Sequence, residues 1–230
     1  MTKGTKIYFF VVLGIILLCF AAGCFVRISF TGYGTFEEME QAESLEDFRI
    51  QLRGSEEGSF SDSVEDYNSL AGKADFIAKV SATKDRVLSI YAVTKTKVVV
   101  REVYKGGIKP GQEIFIYEPA GFSYAVSKYY DTQEGYQLMK EGEEYYVFLK
   151  KLKTAAGYRL PDREKNAFLP VVALYSKFPV KPGKLGLADG GRLEEGEYSY
   201  GETKDLEIIT SEQEVLSKYR KIKKEVLKMK

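Results

Sequence analysis

The chain opens with an uninterrupted apolar run. Residues 7–26 (IYFFVVLGIILLCFAAGCFV) contain no charged side chain. Twenty helical residues span about 30 Å, the thickness of a bilayer's hydrocarbon core. The pattern then turns polar. Thr35-x-x-Glu38 predicts a short helix start, and Phe48, Ile50 and Leu52 alternate as in a short strand. Between Thr35 and Asp66 eleven acids face two bases, and residues 56–63 are rich in Ser, Gly and Glu. That stretch reads as a solvated, membrane-proximal stalk. Asp62 and Glu65 stand at capping-box spacing ahead of a short helix that Gly72 ends.

Strand signals follow. Residues 75–82, 89–104, 113–117 and 143–152 are β-branched or aromatic runs, with further strands predicted at 157–160, 168–174 and 178–180. Gly106-Gly107, Pro110-Gly111 and Glu141-Gly142 punctuate them. Short strands at such intervals predict a small barrel or sandwich. The last twenty residues change period again. Ser211-x-x-Glu214 predicts a helix start, and Val215, Tyr219, Ile222, Val226 and Met229 form one apolar stripe opposite a basic face.

Composition narrows the chemistry. The 230 residues include no His, no Trp and two Cys, with a formal net charge of +1. Without His there is no Ser-His-Asp triad, no Cys-His pair and no imidazole metal ligand. Both cysteines, Cys19 and Cys24, lie in the apolar run, so no disulfide framework is available downstream. Lys3 and Lys6 precede the run, and Arg27 and then acids follow it, which predicts the N-terminus inside and the remainder outside. Ala21-Ala22-Gly23-Cys24 resembles a bacterial lipobox, which makes Cys24 a candidate for lipidation; an uncleaved helical anchor is the other reading. Neither Asn68-Ser69-Leu70 nor Asn166-Ala167-Phe168 is an N-glycosylation site, and an exterior without thiols or such sites reads as a bacterial cell surface.

Residues 74–152 carry ADFIAKV, then REVYKG, then KPGQEIFIYEP, then KEGEEYYVFLKKL. This succession resembles a pattern of secreted and anchored bacterial proteins. It is also similar to the netrin and tissue-inhibitor-of-metalloproteinase module, an OB-type five-stranded barrel. The resemblance implies an OB-like barrel and transfers no catalytic residue. Metalloprotease inhibition does not carry over either, since those inhibitors use an N-terminal cysteine and disulfides that residues 25–230 lack.

Three groups of residues bear on function. Ser81-Ala82-Thr83-Lys84 matches Ser-x-x-Lys, whose chemistry requires both side chains on one helical turn, whereas the pattern predicts a strand end there. Glu141, Glu143 and Glu144 offer paired carboxylates of the kind glycosidases use, but they enter a predicted strand at a glycine turn. Between Pro119 and Gln137, Phe122, Tyr124, Tyr129, Tyr130 and Tyr136 form an aromatic group, expected to lie between the third and fourth barrel strands as a helix or long loop. Exposed tyrosines make good contacts; the same rings also serve to cap a barrel end.

The sequence thus predicts a mainly β protein. A membrane anchor or lipoprotein signal occupies residues 1–27, an acidic stalk 28–61, a small OB-like barrel with short flanking helices 62–210, and a basic amphipathic helix 211–230. The expected function is a non-catalytic, membrane-anchored, extracytoplasmic binding module with the aromatic segment as contact surface. It calls for no cofactor and no metal. The expected partners are the membrane and an envelope protein or cell-wall ligand. An extracytoplasmic hydrolase using Ser81 and Lys84, or the Glu141–Glu144 carboxylates, is the alternative from another class. A surface OB fold that binds nucleic acid is a further one, and the near-neutral charge argues against it.

Overall fold

The computed structural model describes residues 3–30, 36–54, 60, 62–88, 93–123, 127–153, 157 and 159–229. Thr35, residues 56–59, residues 89–92 and Tyr124, on which sequence expectations fell, lie outside that set. The chain forms two units, Met1–Gly34 and Thr35–Lys230. The first contains helix α1 (Lys3–Phe30). Its stretch Tyr8–Val26 is long and apolar enough to cross a membrane, and none of it is buried.

The second unit begins with α2 (Phe36–Ala42), a 3-10 turn (Leu45–Asp47) and β1 (Arg49–Arg53). Then come α3 (Tyr67–Lys73), β2 (Phe76–Leu88), β3 (Thr94–Lys105), β4 (Glu113–Glu118), β5 (Ala120–Ser123), β6 (Tyr129–Gln133) and β7 (Glu144–Lys151). A second 3-10 turn (Asp162–Glu164), β8 (Ala167–Pro170), β9 (Lys177–Pro179), α4 (Gly190–Glu194), α5 (Tyr200–Thr203) and α6 (Gln213–Val226) complete it.

The strands β2-β3-β4-β8-β7 are neighbours in that order, and β7 returns to pair with β2, which closes a five-stranded barrel. Every pairing is antiparallel except β4 with β8. The fold is an OB-like barrel, with β9 added beside β7. The inside follows from period-two alternation. Phe76, Ala78, Val80 and Ala82 of β2 meet Val98, Val100, Ile114, Ile116, Tyr145, Val147 and Leu149 in one core. The β7 run is apolar on both faces because Tyr146 and Phe148 point outward into a second core. There Leu216, Tyr219, Ile222 and Val226 of α6 pack with Leu70, Val171 and Phe178.

Several boundaries differ from the sequence reading. The strand expected to end near Ala82 runs on to Leu88, with a register shift between Ala82 and Arg86. The polar residues that signalled a hairpin mark a bulge, which lets a long strand bend around a barrel. Helix α3 is capped by Asp66, which accepts from Ser69 N at 2.8 Å, while Asp62 pairs with Lys150 at 2.7 Å. Helix α6 starts at Gln213 without a Ser211 cap; Thr210 Oγ1 accepts from Glu212 N at 3.1 Å instead. The expected C-terminal amphipathic helix is present as α6, and its apolar stripe is part of the second core. No strand forms among the described residues of 157–160.

The largest correction concerns residues 28–61. Phe36, Met39, Phe48 and Ile50 are buried, and β1 pairs in parallel with β6, Arg49 opposite Tyr129 through Arg53 opposite Gln133. Residues 36–53 are therefore part of the folded unit. Their acids occupy the outer side of α2 while Phe36 and Met39, three apart, face inward.

Candidate functional site

The aromatic segment turns out to be structural. It forms β5 and β6, which join β1 in a small three-stranded sheet. Phe122, Tyr130 and Tyr136 are 3%, 0% and 2% exposed. The Phe122 ring meets Phe36, Phe48, Tyr130 and Tyr200 at centroid distances of 5.0–5.8 Å. Tyr129 is half-buried at the start of β6, and Tyr124 lies outside the described residues. Three of the five rings are thus withdrawn from any contact surface: Phe36 and Phe48 of the segment taken for a stalk pack on Phe122, Tyr200 packs on Tyr130, and Tyr136 is buried against Glu118 and Lys177.

Under these rings lies a buried polar network. Glu118 is fully buried and accepts from Thr96 Oγ1, from Tyr136 OH at 2.8 Å and from Met139 N at 2.8 Å. The Lys177 ammonium donates to Gln137 O and sits 4.2 Å from the Tyr136 ring centroid and 5.2 Å from that of Tyr145. Burial holds the Lys177 amine down at about 8, against partial compensation by Glu118 and Glu207. Burial likewise pushes the Tyr136 and Tyr130 hydroxyls well above their usual value.

Arg86 lies beside this network. It donates from Nη2 to Met139 O, and its guanidinium lies 5.0 Å from the Phe36 ring centroid. Its Nε is buried without a hydrogen-bond partner. Among the described residues Arg86 forms no ion pair. An unfilled buried donor is uncommon in a folded protein and calls for an explanation.

Arg86 also lines a groove of about 600 Å³, a size typical of ligand sites. One wall is α2 and the turn after it, with Phe36, Glu37, Glu40 and Leu45. The other is made by Lys84 and Arg86 of β2, the 139–141 loop, and Tyr200, Lys204 and Asp205. Two ion pairs hold its flanks: Lys204 with Glu46, and Lys140 with Asp205 at 3.0 Å. The Asp205 carboxyl is held below the usual range by that Lys140 contact. Glu37, Glu40, Lys84 and Glu141 stay exposed along the rim. The groove therefore offers a partly enclosed guanidinium on apolar and aromatic surface under an acidic edge.

Two residues singled out in the sequence, Lys84 and Glu141, line this groove. Their partners do not. Ser81, Glu143 and Glu144 line a smaller cavity of about 270 Å³ with Arg101 and Lys181. Ser81 and Lys84 lie on a strand, three apart, where side chains alternate faces, so the helical Ser-Lys turn is not formed. The Glu141 and Glu143/Glu144 carboxylates divide between the two cavities. Among the described residues no group of three or more His, Cys, Asp and Glu is placed to hold a metal ion. Cys24 lies in α1, exposed like Cys19.

The sequence reading overlooked Arg86, Phe36 and Tyr200. The signal available was the Phe36–Met39 pair, which marks α2 as an amphipathic helix in need of a partner surface. Fold and site define the class: an OB-like barrel with an open polar groove, on a chain that also carries a candidate membrane-spanning helix. No protein-family model and no curated protein matches the chain.

Proposed function

We propose that this is a bacterial cell-surface binding module, anchored by α1 or by a lipid on Cys24, with its barrel outside the cytoplasm and its contact surface in the Arg86 groove. The observation that carries the reading is the pairing, on one chain, of an apolar span Tyr8–Val26, none of it buried, with a folded barrel unit that presents an open groove. The flanking charges support the orientation, with Lys3 and Lys6 before the span and Arg27 and acids after it. The absence of Cys from residues 25–230 supports the bacterial exterior. The groove replaces the aromatic segment as contact surface because it is open where those rings are buried.

The nucleic-acid reading gains little support. The β3–β4 face does interleave lysines with rings, Lys95 over Phe115 and Tyr117, and Lys97 over Phe115. Each lysine is answered by a carboxylate, Lys95 by Glu164 at 2.8 Å and Lys97 by Asp85 at 2.5 Å, which leaves little charge for phosphates.

Alkaline carbonate extraction of membranes tests the anchor. The full chain is expected to stay in the membrane pellet, and a chain lacking residues 3–30 is expected in the soluble fraction. A full chain released by carbonate would contradict the anchor.

A further inference from the structure

Arg86, half-buried at the groove, has no carboxylate partner among the described residues. Glu118 is one anion, already satisfied by three donors. Two cations share its surroundings: Lys177, held by a backbone carbonyl and two rings, and Arg86, held by a backbone carbonyl and Phe36. Glu207 is paired with the buried Lys223, and the buried Asp131 with the largely exposed Arg53 at 2.8 Å. Arg86 forms no ion pair among the described residues, and it lines the open cavity. A guanidinium has five N–H donors in a rigid fork that matches a carboxylate. Phe36 and Met139 fix the plane of this fork and so lower the entropy lost when an anion binds.

The rim carries carboxylates beside the exposed Lys84 and Lys140. Glu37 and Glu40, one turn apart on α2, and Glu141 across from them are exposed. A simple anion would meet their repulsion before reaching Arg86. A ligand with its carboxylate at Arg86 and a cationic group at the Glu37/Glu40 edge satisfies both. Leu45 and Tyr200, both half-buried, supply apolar surface in the same groove.

We propose that the groove binds a short peptide or amino-acid derivative of mixed charge, its free carboxylate recognised by Arg86 and its cationic side chain by Glu37 and Glu40. This rests on the groove being the contact surface. It is independent of the side of the membrane, so binding to purified protein and the anchoring experiment fail separately.

The test is calorimetric titration of the full chain in uncharged detergent. The probes are N-acetyl-alanyl-lysyl-alanine, the same peptide as its C-terminal amide, and the same peptide with acetylated lysine. The free acid is expected to bind about tenfold tighter than the amide, the effect of one charge-assisted hydrogen-bonded pair. Arg86→Gln should erase that difference, and Arg86→Lys, which keeps the charge without the fork, should keep part of it. The double variant Glu37→Gln/Glu40→Gln changes exposed residues only and should erase the preference for free over acetylated lysine. Equal binding of acid and amide by the wild type, or no binding of the acid at millimolar concentration, overturns the proposal. So does an undiminished lysine preference in the double variant, which decides the matter even if Arg86→Gln fails to fold.

Discussion

Burying the Lys177 ammonium should make this protein more stable in mild alkali, against the usual trend. The amine falls from 10.5 to about 8 because desolvation outweighs the pull of Glu118 and Glu207. The sign follows from proton counting. Between pH 8 and 10.5 the unfolded chain holds this proton and the folded chain does not, so stability rises with pH. The slope approaches about 1.4 kcal/mol per pH unit, and the full difference is about 3 kcal/mol. Below pH 8 both states are protonated and this contribution is flat. Other perturbed groups act elsewhere. Tyr130, Tyr136 and Tyr219 are raised above 10, so they remove stability only as pH passes 10, and the lowered carboxyls of Asp62, Asp66 and Asp205 act only in acid. Urea unfolding of the full chain in detergent, followed by near-ultraviolet circular dichroism between pH 7 and 9.5, reads the effect. The midpoint should be level to about pH 8 and then climb. Lys177→Met should abolish the climb. A level or falling wild-type profile above pH 8, or the same climb in Lys177→Met, would refute the assignment.

Other substitutions probe the packing. Phe48→Ala removes a fully buried ring that meets Phe122 at 5.2 Å, and should cost about 3–5 kcal/mol in urea unfolding. A change below about 0.5 kcal/mol, as expected for a surface site, would return residues 36–53 to the status of a spacer. Gly135 has φ +83, and a Cβ there would lie 1.8 Å from Ile209 O, so Gly135→Ala should lower the melting temperature markedly; an unchanged melting temperature would contradict this close approach. Lys223→Met strands the buried Glu207 carboxylate and should cost about 3–5 kcal/mol, whereas the exposed Lys224→Met should be nearly neutral. Equal effects of the two would deny α6 its buried ion pair.

Local periodicity made much of this fold legible. The apolar run of α1, the alternating cores of β2, β3 and β4, the two-sided β7 and the stripe on α6 are all local patterns. What escaped depended on distant partners. β1 pairs with β6 some 80 residues later, and nothing near Arg49 announces Tyr129. Strands β5 and β6 span only four and five residues, too few for alternation to register, and their rings were read as a surface because their cover was read as a stalk. Acid content misled there: the glutamates of α2 describe its outer side, while Phe36 and Met39 decide where it packs. The groove was invisible for the same reason. Lys84 and Glu141 stood out individually, but their shared wall with Arg86 and Tyr200 exists only once α2 and α5 are in place.

The central claim, a barrel displayed outside the cytoplasm on a membrane anchor, is tested most directly by protease added to intact cells that carry the protein with a C-terminal epitope. The account predicts loss of the epitope without lysis, while a cytoplasmic control stays whole. An epitope that survives on intact cells and is cut only after lysis would contradict it.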